Sequence, residues 1–389
     1  MIAREAKDQV AKGSQIRKMF EEGKRLAAIY GAENVYDFSL GNPDQEPPAA
    51  VLEALKTEAS SSVKGLHAYM ANAGYAEARE SVARYESTRS GAPVEARGVV
   101  MTVGAAGSLS IILRSLLNPG EEVILIKPFF TEYTQYVRLA GGVSVQVDCL
   151  EDFQPDFDAL AAAITAQTKA IIINSPNNPS GAIYSADTLI RLQELLAAQD
   201  HTIYVISDEP YREIVYGDAV VPPVLRYLPN AIVAYSWSKS YALPGERIGY
   251  ACCQSACADY EDLIQALVFY NRTLGFVNAP AIWQRVVTQN LDLPVDVSVY
   301  KRRRDRLLGI LRDCGIECQT PAGAFYLFPK VPAGLSAAEF AARCAEQHIL
   351  LVPATGFGMP DHVRLSYAVA DSVIEGSEKA FHAVMEGLQ

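Results

Sequence analysis

Residues 169–211 read KAIIINSPNNPSGAIYSADTLIRLQELLAAQDHTIYVISDEPY and contain the clearest structural pattern of the chain. Two apolar runs rich in β-branched residues, 169–174 and 202–207, flank an amphipathic stretch at 186–198. Runs that are apolar at nearly every position fit strands buried on both faces, and a helix between two such strands is typical of a parallel crossover. The stretch therefore predicts a strand, a helix and a second parallel strand of a covered sheet.

The same alternation continues on both sides of this stretch. Five further apolar runs occupy residues 99–103, 122–126, 143–147, 231–236 and 248–253. Because the last two lack a full helix between them, we expect an antiparallel strand there. The pattern predicts an α/β fold, with a large domain at 43–290 built on a mainly parallel seven-stranded sheet covered by helices on both faces.

The pattern changes near Leu293. A long charged helix at 295–315 precedes short strands near 323–329 and 362–369 and a closing helix. We expect these residues, 291–389, to form a smaller α+β domain together with an N-terminal arm, residues 1–42.

Composition narrows the class of protein. The 389 residues include 34 Lys+Arg and 45 Asp+Glu, a net charge of −11, which disfavours nucleic acid as the main partner. With 50% hydrophobic residues the chain can bury a large core, and no apolar run approaches the roughly 20 residues that span a bilayer. The start lacks an apolar export signal, and the seven cysteines fit reduced thiols. We expect a cytoplasmic protein without membrane, nucleic-acid or metal partners.

In an open α/β sheet, ligands bind beyond the carboxyl ends of the strands, so the residues that follow each run are the candidates for a site. Lys239 follows the run 231–236 beside two aromatic residues, where desolvation would make its amine a nucleophile or general base, although an exposed surface lysine is the plainer alternative. Ser236, Ser238 and Arg247 are the residue types that hold a phosphate, and the glycine turn 104–107 before a helix could bind an anion or serve only packing.

Two further charged residues leave alternatives open. Asp208 ends the run 202–207, where it needs a cationic partner such as a pyridinium nitrogen, or else caps a helix that starts at Glu209. Arg364 lies in an alternating strand, where it either faces solvent or clamps a carboxylate in a cleft.

Together these residues resemble the class I/II aminotransferases, pyridoxal-phosphate enzymes of fold type I. The segment 236–249 is similar to the family's lysine signature, 174–181 to its Asn-Pro-rich loop, and 208–211 to its D-E-x-Y segment. Residues 39–43 resemble its substrate loop, Tyr69 with Gly74 and Arg79 its Y-x(4)-G-x(4)-R pattern, and Arg364 its C-terminal arginine. Six segments in family order cover residues 39–366.

The resemblance implies a site for pyridoxal phosphate. Lys239, Asp208 and Tyr211 would be catalytic: Lys239 would form the Schiff base and move the Cα proton, Asp208 would pair with the ring nitrogen, and Tyr211 would bond the 3-oxygen. The other cofactor ligands would be Gly104, Ala105, Ala106, Phe130, Asn178, Ser236, Ser238, Arg247, and Tyr69 of a second subunit. Gly41, Asn178 and Arg364 would bind the substrate carboxylate, and no metal is implied.

The implied activity is ping-pong transfer of the α-amino group of an L-amino acid to a 2-oxo acid by a homodimer. Two alternatives remain, a C–S β-lyase on the same fold and a pyridoxal-phosphate-binding regulator without turnover. The sequence departs from aspartate-type members at Ala106, where these carry a lysine that reads the distal carboxylate. An acidic donor is therefore in question unless another cation, such as Arg17 of the N-terminal arm, replaces it.

Overall fold

The computed structural model describes residues 2–12 and 15–388. Its twelve strands are β1 Tyr36–Asp37, β2 Val99–Thr102, β3 Glu122–Ile126, β4 Val143–Val147, β5 Thr168–Asn174, β6 Tyr204–Asp208, β7 Ala231–Ser236, β8 Gly249–Cys253, β9 Tyr326–Leu327, β10 Ile349–Leu350, β11 Val352–Pro353 and β12 Val363–Ser366.

The helices alternate with these strands through most of the chain. They are α1 Arg4–Lys12, α2 Gln15–Tyr30, α3 Ala49–Ala59, α4 Ala76–Ser90, α5 Ala105–Leu116, α6 Tyr133–Leu139, α7 Phe157–Ala163, α8 Ala186–Ala197, α9 Val224–Tyr227, α10 Tyr260–Thr273, α11 Ala281–Thr288, α12 Ser298–Asp313, α13 Ala337–Glu346 and α14 Asp371–Glu386. None of the described helices is long and apolar enough to cross a membrane.

The central sheet has seven strands in the order β2-β8-β7-β6-β5-β3-β4. Strand β8 runs antiparallel to β2 and to β7, and the other neighbouring strands are parallel. The seven predicted runs and the antiparallel member near the last two are therefore confirmed. Strand β6 begins at Tyr204 rather than at the predicted residue 202.

Alternate residues of each strand enter the two apolar cores, one on each face of the sheet. In β5, Ile171 and Ile173 pack into one cluster, with α4, α8 and α11, while Ala170 and Ile172 pack into the other, with α5 and α10. Because both faces are buried, the strands read as continuous apolar runs. This arrangement brings the carboxyl ends of β5, β6 and β7 to one edge of the sheet.

The rest of the chain surrounds a third apolar cluster, formed mainly by α12, α13, α14 and the short strands. Strand β1 pairs in parallel with β10, and β12 lies between β11 and β9 in an antiparallel sheet. The N-terminal residues thus join the C-terminal part by a β pairing. The predicted fold class, a mainly parallel sheet with a smaller α+β part, is confirmed.

Candidate active site

A cavity of about 710 Å³ lies beyond the carboxyl ends of β5, β6 and β7. It is lined by Phe20, Glu21, Lys24, Leu40, Gly41, Asn42, Ala105, Ala106, Leu109, Phe130, Glu132, Tyr136, Asn174, Asn178, Asp208, Pro210, Tyr211, Ser236, Ser238, Lys239, Pro244, Arg247, Tyr326 and Arg364. The structure thus brings together most of the residues that the sequence indicated. A larger cavity, about 970 Å³, lies elsewhere and contains none of them.

Asp208 is the last residue of β6 and is buried. The hydroxyl of Tyr133 donates a 2.6 Å hydrogen bond to Oδ2 of Asp208, whereas Oδ1 has no hydrogen-bond partner among the described residues. Burial raises the pKa of Asp208 to about 7, although Tyr133 and Lys239 act in the opposite direction. A buried carboxylate oxygen without a partner is costly, so this site fits a ligand that brings a protonated nitrogen.

Lys239 follows β7 in a turn anchored by the buried Trp237. Its Nζ donates a 2.7 Å hydrogen bond to the carbonyl oxygen of Gly41, which fixes the amine at the cavity. The side chain is partly accessible because it borders the cavity, yet desolvation and the nearby cations Arg364 and Arg247 lower its pKa to about 8. A substantial fraction of this amine is therefore neutral, and nucleophilic, at weakly alkaline pH.

An anion pocket is formed by the start of α5 and the segment after β7. Gly104 precedes α5 with φ of 79°, a conformation that favours glycine, and a Cβ there would lie 2.8 Å from Nη2 of Arg247. The hydroxyls of Ser236 and Ser238 are 2.6 Å apart. Helix-start N–H groups, two hydroxyls and a guanidinium are suited to a phosphate.

Arg364 is buried, with 2% of its surface exposed, so the solvent-facing alternative is wrong. Its Nη1 donates to Oδ1 of Asn178 (3.1 Å) and its Nη2 to the carbonyl oxygen of Ser39 (2.7 Å). Its Nε has no partner among the described residues, and burial lowers its pKa. A buried guanidinium that faces a cavity, and that pairs with no carboxylate of residues 2–12 and 15–388 whose side chains are described, is suited to an anionic substrate group.

Two predicted site residues lie elsewhere or cannot be placed. Tyr69 is 92% exposed and does not line this cavity. The side chain of Arg17 lies outside the described part of the chain.

Sequence reasoning missed two tyrosines. Tyr133 bonds Asp208, and the hydroxyl of Tyr326 lies 2.8 Å from that of Tyr211. Tyr326 also packs its ring 4.6 Å from the guanidinium carbon of Arg364. Helix α2 contributes further lining residues that the sequence did not single out, Phe20, Glu21 and Lys24.

Comparison with known proteins agrees with this geometry. The family model "Aminotransferase class I and II" matches residues 33–376. The chain belongs to this family. It is 34% identical to a probable aspartate/prephenate aminotransferase of Thermus aquaticus, over 90% of this chain and 91% of that protein. It is 31% identical to an aspartate aminotransferase of Pyrococcus horikoshii, over 97% and 95%.

Solved structures of aminotransferases have the same fold. An aminotransferase of Eubacterium rectale superposes with a TM-score of 0.95 at 41% identity, over 100% of this chain and 99% of that one. The aspartate aminotransferase of Thermus thermophilus with maleate gives 0.89 at 30% identity, over 99% and 100%.

The family depends on pyridoxal phosphate, and the site fits this cofactor. Oδ1 of Asp208 has no hydrogen-bond partner in the described part of the chain, and a protonated ring nitrogen would supply one; the pocket at Gly104 suits the phosphate. The Lys239 amine, with its lowered pKa, lies at the same cavity. This chain is therefore a pyridoxal-phosphate-dependent aminotransferase.

Proposed function

We propose that this enzyme transfers the α-amino group of an L-amino acid to a 2-oxo acid in two half-reactions, with Lys239 as the catalytic amine. The observation that carries the proposal is the amine itself, which lies at the cavity with its pKa lowered to about 8 and is hydrogen-bonded to the Gly41 carbonyl. In its neutral form, which is substantially populated at weakly alkaline pH, this amine can accept a proton.

We assign the cofactor ligands as follows. Asp208 pairs with the ring nitrogen, and Asn178 and Tyr211 bond the 3-oxygen. Phe130 packs on the ring. The phosphate is held by the Gly104 turn, the backbone of Ala105 and Ala106, and the side chains of Ser236, Ser238 and Arg247.

The bound cofactor supplies an electron sink for negative charge that develops at the substrate Cα. Lys239 takes the proton from that carbon and holds it for return. Asp208, when ionised, would stabilise positive charge on the ring nitrogen of the bound cofactor. The protein therefore contributes a proton carrier and an opposing charge at the carboxyl ends of two adjacent strands of one sheet, Lys239 after β7 and Asp208 at the end of β6.

Arg364, with Asn178 and the backbone of Gly41, binds the α-carboxylate of the substrate. Replacing Arg364 with glutamine should lower kcat/KM for an L-amino acid by at least about 100-fold, because charge-assisted, two-pronged recognition is lost. The corresponding amine has no carboxylate and reacts only slowly with the native enzyme. Its kcat/KM in the half-reaction should change little in Arg364→Gln.

The experiment is a half-reaction assay on each substrate pair, with Arg304→Gln as the control. Arg304 is a buried arginine that bonds Asp305 and the Pro321 carbonyl outside the cavity. Its replacement should therefore not alter the ratio of kcat/KM for the amino acid to kcat/KM for the amine. An equal loss for acid and amine in Arg364→Gln would contradict the assignment.

We propose that the enzyme is a homodimer in which Tyr69 reaches the phosphate pocket of the partner subunit. Tyr69 is 92% exposed, yet its segment is fixed. Nδ2 of Asn271 bonds the Asn72 carbonyl (2.9 Å), Nδ2 of Asn278 bonds the Ala71 carbonyl (2.8 Å), and Gln284 accepts from the Tyr75 N–H (2.9 Å). An exposed tyrosine next to a segment anchored in this way is suited to contact a second subunit.

Subunit mixing tests this arrangement. Lys239→Ala and Tyr69→Ala should each be defective alone, but their mixed dimer contains one site with both native residues. An equimolar mixture should recover about a quarter of the native activity, since half of the dimers are mixed and each has one intact site. Lys239→Ala mixed with Asp208→Asn should recover nothing, because each change disables the site of the subunit that carries it and the mixed dimer then has no intact site. Equal results from the two mixtures would contradict the proposal.

We also propose the division into a large domain, 43–290, and a small domain, 1–42 with 291–389, and a cytoplasmic location. The first is supported by two apolar clusters: the buried members of one lie within 43–290, and the other is formed mainly by residues of 1–42 and 291–389, joined by Tyr211, Ile214 and Tyr216 of the large domain. The second is supported by seven free cysteines, five of them buried.

A further inference from the structure

Tyr133 is placed to act on the cofactor through Asp208. Its ring is 1% exposed, and its hydroxyl donates the 2.6 Å hydrogen bond to Oδ2. Burial, and then the charge of Asp208, raise the pKa of Tyr133 well above its usual value, so the phenol remains a donor. The bond occupies one carboxylate oxygen and leaves Oδ1 for a ligand.

The position of Tyr133 is fixed independently of any ligand. It is the first residue of α6, and its N–H donates to the carbonyl oxygen of Phe130 (3.0 Å). The rings of Phe130 and Tyr133 meet edge to face, with centroids 5.6 Å apart. One short segment therefore supplies both the aromatic ring that borders the cavity and the donor to Asp208.

Opposing influences act on the Asp208 carboxylate. Burial and the charge of Glu209 favour its neutral form, while Tyr133 and Lys239 favour the ionised form. The ionisable groups that face it are Tyr133, Tyr136, Glu209, Tyr211 and Lys239. In this set Tyr133 gives the carboxylate its direct side-chain hydrogen bond.

We propose that Tyr133 is a positioning residue that keeps Asp208 ionised and oriented, so that the carboxylate pairs with the protonated ring nitrogen of the cofactor. The inference rests on the proposed role of Asp208. It assigns to Tyr133 a contribution to cofactor binding that depends on the ring nitrogen and on no other part of the cofactor.

The test compares two ligands of the apoprotein, pyridoxal phosphate and its 1-deaza analogue, in which a C–H replaces the ring nitrogen. Tyr133→Phe, which retains the buried ring, should weaken binding of pyridoxal phosphate by about 10-fold, because a hydrogen bond to a charged group is lost. Binding of the analogue should be unchanged. The pKa of Asp208 should rise further above about 7, so the acid limb of the cofactor-affinity profile should move to higher pH.

Tyr204→Phe is the matched control. Tyr204 starts the same strand that Asp208 ends, and it also bonds an aspartate, Asp259, at 3.0 Å. This variant should lose comparable stability in thermal unfolding yet bind both ligands as the native protein does. Equal losses for the two ligands in Tyr133→Phe, or an unmoved acid limb, would overturn the proposal.

Asp208→Asn separates this failure from failure of the proposed function. If Asp208→Asn removes the preference for pyridoxal phosphate over the analogue while Tyr133→Phe does not, only the role of Tyr133 is wrong. If the native protein itself binds pyridoxal phosphate no more tightly than the analogue, the assignment of Asp208 is wrong. The proposed role of Tyr133 is then wrong as well.

Discussion

Lys239→Ala is expected to lower the rate of amino-group transfer by at least about 10⁴-fold, the largest effect that we predict. General acid–base catalysis alone contributes about 10²- to 10⁴-fold, and the variant also loses covalent attachment of the cofactor. Lys24, the other lysine among the described residues at the cavity, cannot replace it readily, because it is an exposed residue of α2 whose Nζ lies over the Phe20 ring.

The measurement is steady-state transfer from a reactive donor to a 2-oxo acid, with the protein saturated in cofactor. Lys127→Ala is the control, because Lys127 also directly follows a strand of the central sheet but pairs with Asp148 outside the cavity. It should retain near-native activity. If Lys239→Ala kept more than about a hundredth of the native rate, a role as the catalytic amine would be excluded.

Glu86→Gln is expected to reduce the free energy of unfolding by about 3–5 kcal/mol, because it breaks a buried ion-pair network. Glu86 is fully buried in α4 and bonds Arg212 (2.8 Å), Arg89 (3.0 Å) and the Tyr250 hydroxyl. Glu209 accepts from the same two arginines, at 3.1 and 3.0 Å. Loss of the Glu86 carboxylate leaves the buried positive charges of Arg89 and Arg212 poorly compensated by Glu209.

The expected pH dependence follows from the same network. Burial opposes ionisation of Glu86, but Arg212 and Arg89 outweigh it and lower the pKa to about 2. A carboxylate with a lowered folded-state pKa stabilises fully above its unfolded value, about 4.5, and loses this contribution as the pH falls toward 2. The native protein should therefore lose more stability than Glu86→Gln does across this interval.

Urea unfolding at fixed protein concentration measures both effects. Glu53→Gln is the control, because Glu53 forms an exposed pair with Lys56 at 2.6 Å, worth less than about 1 kcal/mol. A loss in Glu86→Gln no larger than in this control would show that the network does not stabilise the fold. The network also holds the turn between Asp208 and Arg212. The loss of stability in Glu86→Gln should therefore be accompanied by a lower affinity for the cofactor.

The sequence predicted the central sheet because burial on both faces leaves a direct signature, uninterrupted apolar runs such as β5. It also predicted where the site lies, because polar residues such as Asp208 and Lys239 follow such runs. The start of β6 was placed two residues early, since Thr202 and Ile203 continue the apolar run without sheet pairing.

The sequence could not predict contacts between distant parts of the chain. Tyr133 and Asp208 are 75 residues apart, and Tyr211 and Tyr326 are 115 apart. The sequence also left open whether Arg364 faces solvent or a cleft, because the alternation of residues along a strand does not reveal which face other elements cover. Its bond to the Ser39 carbonyl spans 325 residues and depends on the N-terminal segment packing against the C-terminal part.

Amino-group transfer through the bound cofactor is tested most simply by the visible absorption spectrum of the cofactor-loaded protein. The spectrum is recorded before and after L-amino acids are added without an acceptor. The proposed function predicts a band that at least one donor bleaches, with formation of one 2-oxo acid per site and no ammonia, and a 2-oxo acid should then restore the band. Continued release of a 2-oxo acid and ammonia without an acceptor would indicate a lyase, and a band that no donor bleaches would contradict amino-group transfer.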